Sequence, residues 1–411
     1  MLWASAYMVW GFTALLLGLS ILGVRVHREA LQGIGRDTAP SIIHAQGIKA
    51  YLAVMDANVA NELLGQAGRM QEEVDAYEEN RKKVATSLIE AAKNITFEGE
   101  QEALENLQIT LGTFEARVQR ARDLREEGDA RYLDAYRDAA RIMDSQLLPE
   151  TDKINDVNLK ELRETYDRIN TRSVGSSFLL VVSALILLGT LVSVQRFLTD
   201  RTHRVLNPLL VAATLVALWF AFTTYASQAT ARHRLRVARE DAFPSIHALL
   251  QARASAYSAR SLESRYLLDP AKASEHENAF RSRMADTERN LQQELKNITF
   301  AEEEEPARAT LNRFHSFLRV DEEMRKVNAA GNRDAALELC TGIGRGSAHE
   351  AFTAFDAALG RALEVNMSEF NRAVYEGFGV LSGFEWQAAL VSLIIAGLAF
   401  FGLLQRIREY R

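Results

Sequence analysis

Residues 178–194 read FLLVVSALILLGTLVSV and residues 209–225 read LLVAATLVALWFAFTTY, with the short basic stretch QRFLTDRTHRVLNP at 195–208 between them. Each run with its flanks is long enough to cross a hydrocarbon slab of roughly 30 Å as a helix, so the pair reads as a membrane hairpin. Its turn carries Arg196, Asp200, Arg201, His203 and Arg204, and an excess of arginine in a short loop marks the cytoplasmic side. Asn207 and Pro208 suit the N-cap and first position of the helix that follows the turn. A turn this short also sets the helix before it beside the helix after it.

Two further apolar runs, Leu2 to Val24 and Trp386 to Leu404, bring the spans to four. The first lacks a basic n-region and a small-x-small site before Arg25-Val26-His27-Arg28, so it reads as a retained helix rather than a cleaved leader. The expected transmembrane segments are 1–24, 175–195, 208–227 and 384–404. A cytoplasmic turn covers 196–207 and a cytoplasmic tail 405–411, which puts both termini of a multi-pass bacterial cell-membrane protein inside. Residues 25–174 and 228–383 then lie outside, since long loops translocate largely regardless of charge, although Arg25 and Arg28 run against the positive-inside count.

The chain is 25% charged with a net charge of −6, which speaks against a compact transporter and against nucleic acid as a partner. One cysteine, Cys340, permits no internal disulfide, so the outer segments must hold by packing. Six prolines and few alternating β-branched runs predict an all-α protein. In the first outer segment Leu104, Leu107, Leu111, Phe114, Val118 and Ala121 recur at three and four residues, as do Leu133, Tyr136, Ala140, Met143 and Leu147, and Ile48, Leu52, Met55, Val59 and Leu63. Breaks near 65–68, 94–99 and 127–129 leave four helices, whose economical arrangement is an antiparallel four-helix bundle.

The plan recurs in the second outer segment. Asp37-Thr-Ala-Pro-Ser-Ile42 aligns with Asp241-Ala-Phe-Pro-Ser-Ile246, Leu63-Leu64 with Leu267-Leu268, and Lys93-Asn-Ile-Thr-Phe97 recurs unchanged at 296–300. This predicts an internal duplication giving two tandem bundles, the second with a seam of Leu311, Phe314 and Leu318 that continues through Phe355, Leu359 and Leu363. Thr299 with Glu302 matches a capping box, a reading preferred over the glycosylation sequon that Asn-Ile-Thr also spells. The fourth helix of each copy is expected to break, at 147–150 in the first and at the glycine-rich 338–347 in the second.

Pro40 and Pro244 fall inside helical sequence at matching places, where each removes a backbone hydrogen bond at about 3 kcal/mol. They read equally as joints and as hinges. Asp56, Asn58, Asn61 and Glu62, with Arg260, Glu263 and Arg265 at the same level of the second copy, are either a solvated face or a surface for a small polar ligand or a protein that carries one. Asp56 facing Arg260 would also join the two bundles. Arg196, Arg201, Arg204, Arg406, Arg408, Tyr410 and Arg411 serve equally as an output surface and as topology and headgroup contacts. No HExxH, paired Cys/His spacing, nucleophile elbow, Walker or dinucleotide fingerprint is present, and the four apolar runs carry no charge. These absences predict no metal, no cofactor, no catalytic residues and no transport path.

An external bundle continuous with membrane helices resembles the sensor half of methyl-accepting chemoreceptors, which implies a homodimer there. One chain here would supply both halves, without the HAMP, kinase-control or methyl-accepting regions. Asp56-Ala-Asn58 with Leu63-Leu64, Tyr136 to Pro149 (YRDAARIMDSQLLP), Thr341 to Phe355 (TGIGRGSAHEAFTAF) and Arg408 to Arg411 resemble the four-span GlnX-type relays best known from actinobacteria. That resemblance implies a solute-binding lipoprotein reporting aspartate or glutamate and a cytoplasmic serine/threonine kinase as partners. The expected function is a transmembrane signalling relay; the alternative is an envelope scaffold that responds to no ligand.

Overall fold

The computed structural model describes residues 2–65, 70–95, 98–202, 206–342 and 344–409; the side chains of Leu2, Met70, Asn170, Arg201, Thr202 and residues 406–409 lie outside that description. All regular structure among the described residues is helical. In order the helices are α1 (Leu2–Gln32), α2 (Ala39–Leu64), α3 (Met70–Lys93), α4 (Glu100–Glu126), α5 (Tyr132–Ile142) and α6 (Leu148–Thr202). They continue as α7 (Pro208–Arg236), α8 (Phe243–Leu268), α9 (Ala273–Lys296), α10 (Glu304–Ala329), α11 (Arg333–Thr341), α12 (Ala348–Leu381) and α13 (Phe384–Glu409). Among the described residues four helices are long and apolar enough to cross a membrane, and the four apolar runs of the sequence fall in α1, α6, α7 and α13.

The chain forms two compact units, one of Met1–Arg36, Arg163–Val237 and Asn371–Arg411, the other of Asp37–Leu162 and Ala238–Phe370. In the first unit α7 and α1 both pack against α13. Trp10 Nε1 donates to Ala396 O at 3.2 Å, and Asn207 Nδ2 to Gly402 O at 2.8 Å. Asn207 Oδ1 accepts from Leu209 N and Leu210 N at 3.1 and 3.4 Å, with Pro208 as the first helical residue, so α7 starts as its sequence requires. α6 and α7 are neighbours: Arg232 Nη2 donates to Ser173 O and Ser177 Oγ, and an apolar groove of about 250 Å³ runs between Leu180, Leu185 and Leu188 on one side and Leu218 and Phe222 on the other.

The second unit holds two principal apolar cores. Ile48, Leu52, Met55, Val59 and Leu63 of α2 close on Tyr77 and Val84 of α3 and on Leu107, Phe114 and Val118 of α4, with Met143, Leu147, Leu148 and Ile154 beside them. The other core joins Leu249, Ala252, Ala256 and Ala259 of α8 to Phe280, Met284, Leu291, Phe314, Phe317, Phe352, Phe355 and Leu359. Its α10 seam runs through Phe314 and Phe317, with Leu311 and Leu318 only partly buried, a rotation by less than one residue from the expected stripe.

Two local readings change and one holds. Residues 147–150 are no break: helical backbone runs without interruption from α5 through a π turn at Met143–Leu147 into α6, and Pro149 is accommodated just after that turn. The break before α12 is real, with Gly346 at φ 89°. There Ser347 Oγ accepts from Glu350 N at 3.1 Å while Glu350 Oε2 accepts from Gly346 N at 2.7 Å, a cap of the box type. Ahead of α10 the capping carboxylate belongs to Glu303 rather than Glu302, accepting from Thr299 N and Phe300 N at 2.9 and 3.2 Å.

The repeated Lys-Asn-Ile-Thr-Phe segments share a contact. Asn94 Nδ2 donates to Asp37 O and Ser41 Oγ at 2.8 and 2.7 Å, and Asn297 Nδ2 donates to Asp241 O and Ser245 Oγ at 2.8 and 3.0 Å. Each asparagine ties the end of one helix to the start of another, just after π turns at Gly33–Thr38 and Val237–Ala242. Pro40 and Pro244 follow those turns as the second residues of α2 and α8. Asn297→Ala removes both bonds and should lower stability by about 1–3 kcal/mol, read as a reduced midpoint in denaturant unfolding of the purified chain.

Candidate functional site

α2 and α8 lie against each other within the second unit, and most of their side chains are buried. A helix apolar on nearly all sides belongs inside, and its few charges must then be paired there. All seven residues singled out above are buried: Asp56, Asn58, Asn61 and Glu62 at 3, 8, 6 and 3% exposure, Arg260, Glu263 and Arg265 at 3, 0 and 4%. They form no solvated face. They belong to a polar layer between helices.

Arg265 is its most connected member. Nη2 donates to Asp56 Oδ2 at 2.5 Å, Nη1 to Asp144 Oδ2 at 2.7 Å and Nε to Tyr136 Oη at 3.0 Å, so one guanidinium of α8 binds α2, α5 and the π turn before α6. Ser261 Oγ adds a 2.5 Å bond to Asp56 Oδ2, and Ser264 Oγ donates to Asn61 Oδ1. Burial pushes the Asp56 carboxyl upward, with Asp144 adding to the rise, while Arg265 and the Ser261 hydroxyl oppose it. At the layer's edge Arg137 clasps Asp269 through Nε and Nη2 at 2.8 and 2.7 Å.

The expected pairing of Asp56 with Arg260 does not form. Arg260 pairs with Glu263 one turn along α8 and donates from Nη2 to Cys340 O at 2.7 Å. The Cys340 thiol is fully buried, and burial followed by the nearby Glu263 pushes it up to about 12. Glu62 takes a bidentate clasp from Arg122, whose guanidinium lies 4.7 Å from the centre of the Tyr77 ring. Asn61 Nδ2 donates to Glu73 Oε1 at 3.3 Å; the Asn58 amide, nitrogen toward Glu73, donates at 3.0 Å and accepts from Tyr77 N at 3.2 Å. Burial pushes Glu73 up to about 7, with Glu72 and Glu62 adding and Arg260 and Asn61 opposing.

The arrangement fastens one helical core to the other with charge-assisted bonds that low dielectric strengthens and that cannot be left half made. Sequence reading missed Tyr136, Arg137, Asp144, Ser261, Ser264, Asp269 and Glu73, because their pairings span long stretches of chain. One signal was available: residues 45–64 carry only Lys49, Asp56 and Glu62 as charges, far fewer than α3 or α4, and sparse charges on an apolar helix point to buried pairs. Arg196 is exposed on α6. Arg204, Tyr410 and Arg411 lie outside the described residues, as do the side chains of Arg201, Arg406 and Arg408. Among the described residues no group of three or more His, Cys, Asp or Glu could hold a metal ion.

Two outcomes follow. Arg265→Ala leaves the Asp56 carboxylate buried and uncompensated, which should cost about 3–5 kcal/mol in denaturant unfolding, whereas Asp56→Leu with Arg265→Met together should cost less than that single change. Burial also raises Asp321 to about 7 and Glu294 to about 8, the latter with Glu303 adding. Carboxyls raised in the folded state contribute stability that is fully present below their ordinary range near 4 and is lost as pH climbs through 7 to 8. Thermal midpoints should therefore fall from pH 5 to pH 8, and Glu294→Gln should flatten that fall by raising the midpoint at pH 8.

Residues 30–167, about one third of the chain, match the model of a family described as an actinobacterial sensor domain. No curated protein and no solved structure matches the chain. The matched span runs from the end of α1 through α2 to α5 and into α6, and so takes in the first core, Asp56, Glu62 and Asp144. The chain is thus an all-helical protein with four membrane-length helices and a segment similar to a bacterial sensor domain.

Proposed function

We propose that this protein is a transmembrane signalling relay whose two bundles, products of an internal duplication, lie outside the bacterial cell membrane. The observation that carries the proposal is the sensor-domain match over the first bundle, in a chain with four membrane-length helices. The duplication is supported by paired contacts at one spacing: Lys49 donates to Asp152 at 2.5 Å, and 204 positions on Arg253 clasps Asp356 at 2.8 and 2.7 Å. The two asparagine latches and the two π turns recur with nearly the same spacing. The orientation rests on the basic turn.

In this reading the buried layer around Arg265 couples the bundles, and the input is a small polar ligand, or a solute-binding lipoprotein loaded with aspartate or glutamate, as in GlnX-type relays. α6 carries both Ile154 of the first core and the apolar run 178–194, so a small slide or turn of that helix would be the transmitted signal. Pro40 and Pro244, each just after a π turn, are the hinge candidates. Arg196, Arg201, Arg204, Arg406, Arg408, Tyr410 and Arg411 form the docking surface for a cytoplasmic partner such as a kinase. The scaffold reading keeps one observation in its favour, that the seven polar residues are occupied with one another.

Crosslinking pull-down of the full chain from its native membranes, with and without aspartate and glutamate, separates the two. The relay predicts an external solute-binding partner whose capture changes with ligand; partners captured identically in both conditions would leave the scaffold.

A further inference from the structure

A groove of about 170 Å³ opens within the second unit where α2 and α3 meet α8 and α12. Ile43, Ala50, Leu250, Leu363 and Met367 make its walls apolar. The groove exists because of what is missing at Gly47. Counting 204 positions on, the spacing of the recurring ion pair, Ile43 becomes His247 and Gly47 becomes Gln251. Those two side chains fill their own surroundings with a hydrogen-bonded cluster: His247 Nε2 lies 3.3 Å from Asn155 Oδ1 and 3.3 Å from Gln251 Nε2. One of two related places thus carries hydrogen-bonded polar side chains, and the other an isoleucine and a glycine.

The rim decides the chemistry of an occupant. Tyr51, Ser87 and His44 offer hydrogen bonds. Burial holds His44 below the usual histidine range, so it is uncharged at neutral pH. Arg253 also borders the groove, but its guanidinium is neutralised by the two-point clasp on Asp356. The lining therefore carries no net charge and suits neither an anion nor a cation. An apolar space of about this volume admits a benzene-sized ring.

We propose that this groove is a binding site for a neutral, ring-sized organic molecule with one hydrogen-bonding group, of the phenol or indole class. An occupant would touch four helices from both cores and so favour the closed packing of α2 and α3 on α8 and α12. The site is separate from any partner lipoprotein, and its test needs no partner, so its failure is distinguishable from failure of the relay.

The test is fluorine NMR titration of 4-fluorophenol into the full chain in lipid nanodiscs, with Gly47→Gln in identical nanodiscs cancelling partition into lipid. A side chain is sterically admitted at 47, where an added Cβ meets only Tyr51 at 3.8 Å. Wild type should show saturable binding of one probe per chain, displaced by unlabelled phenol, and Gly47→Gln should weaken it at least tenfold with unchanged helical content. Should that variant misfold, Ser87→Phe, which narrows the rim from the half-exposed side, is expected to give the same loss. Absence of saturable binding to wild type, or equal binding to a folded closing variant, overturns the proposal.

Discussion

Arg265 holds a charge at 4% exposure and gives all three of its nitrogens to different partners, Asp56, Asp144 and Tyr136. A guanidinium does not lose its proton in a protein, so burying it commits the surrounding helices to supply carboxylate at fixed positions. α2 must present Asp56 inward and the turn after α5 must present Asp144. The first core cannot close in one register and meet α8 in another. Hydrophobic packing is tolerant of small slips between helices; a bidentate or three-way ionic contact is not. The ionic layer therefore fixes the register of α8 on α2, while the apolar cores supply most of the driving force on either side of it.

Much of this architecture is legible in the sequence because helical periodicity is local. Leu107, Phe114 and Val118 announce one face of α4 by spacing alone, and they are fully buried. The apolar runs announce the membrane-length helices by length. What spacing cannot convey is a second neighbour. α2 has the first core on one side and α8 on another, so Asp56 and Asn61, which look displaced from the core stripe, meet Arg265 and Ser264 of α8 instead of water, while Asn58 turns to Glu73 of α3. Side-chain partners far apart in sequence, such as Arg137 with Asp269, are set by the packing angle between helices, which no local pattern encodes. Proline was misread at 149 because a π turn just ahead of it lets the helix continue through a residue that would otherwise break it, and no local pattern announces that turn.

Under the proposed duplication the two halves keep the same backbone fastenings and differ in polar content. Asp56 corresponds to Arg260 and Asn61 to Arg265. Two first halves paired in this manner would bring two Asp56 carboxylates and no counterpart of Arg265 to the layer, and two second halves would bring Arg265 twice without Asp56. Unlike residues at matching positions make the pairing of one half with the other preferable to pairing like with like. With α2 and α8 buried against each other, a second copy of the chain would have to assemble through other helices.

Cys340 gives the polar layer a clock. It is the chain's single thiol, it is fully buried, and its carbonyl anchors Arg260. With its acidity suppressed by burial, the closed state offers almost no thiolate to an alkylating reagent. Modification must wait for α11 to part from α8, so the reaction proceeds only as fast as that local opening is populated. The sequence has thus placed a reporter of breathing where a buried arginine of α8 holds α11, with no second thiol to confuse its signal.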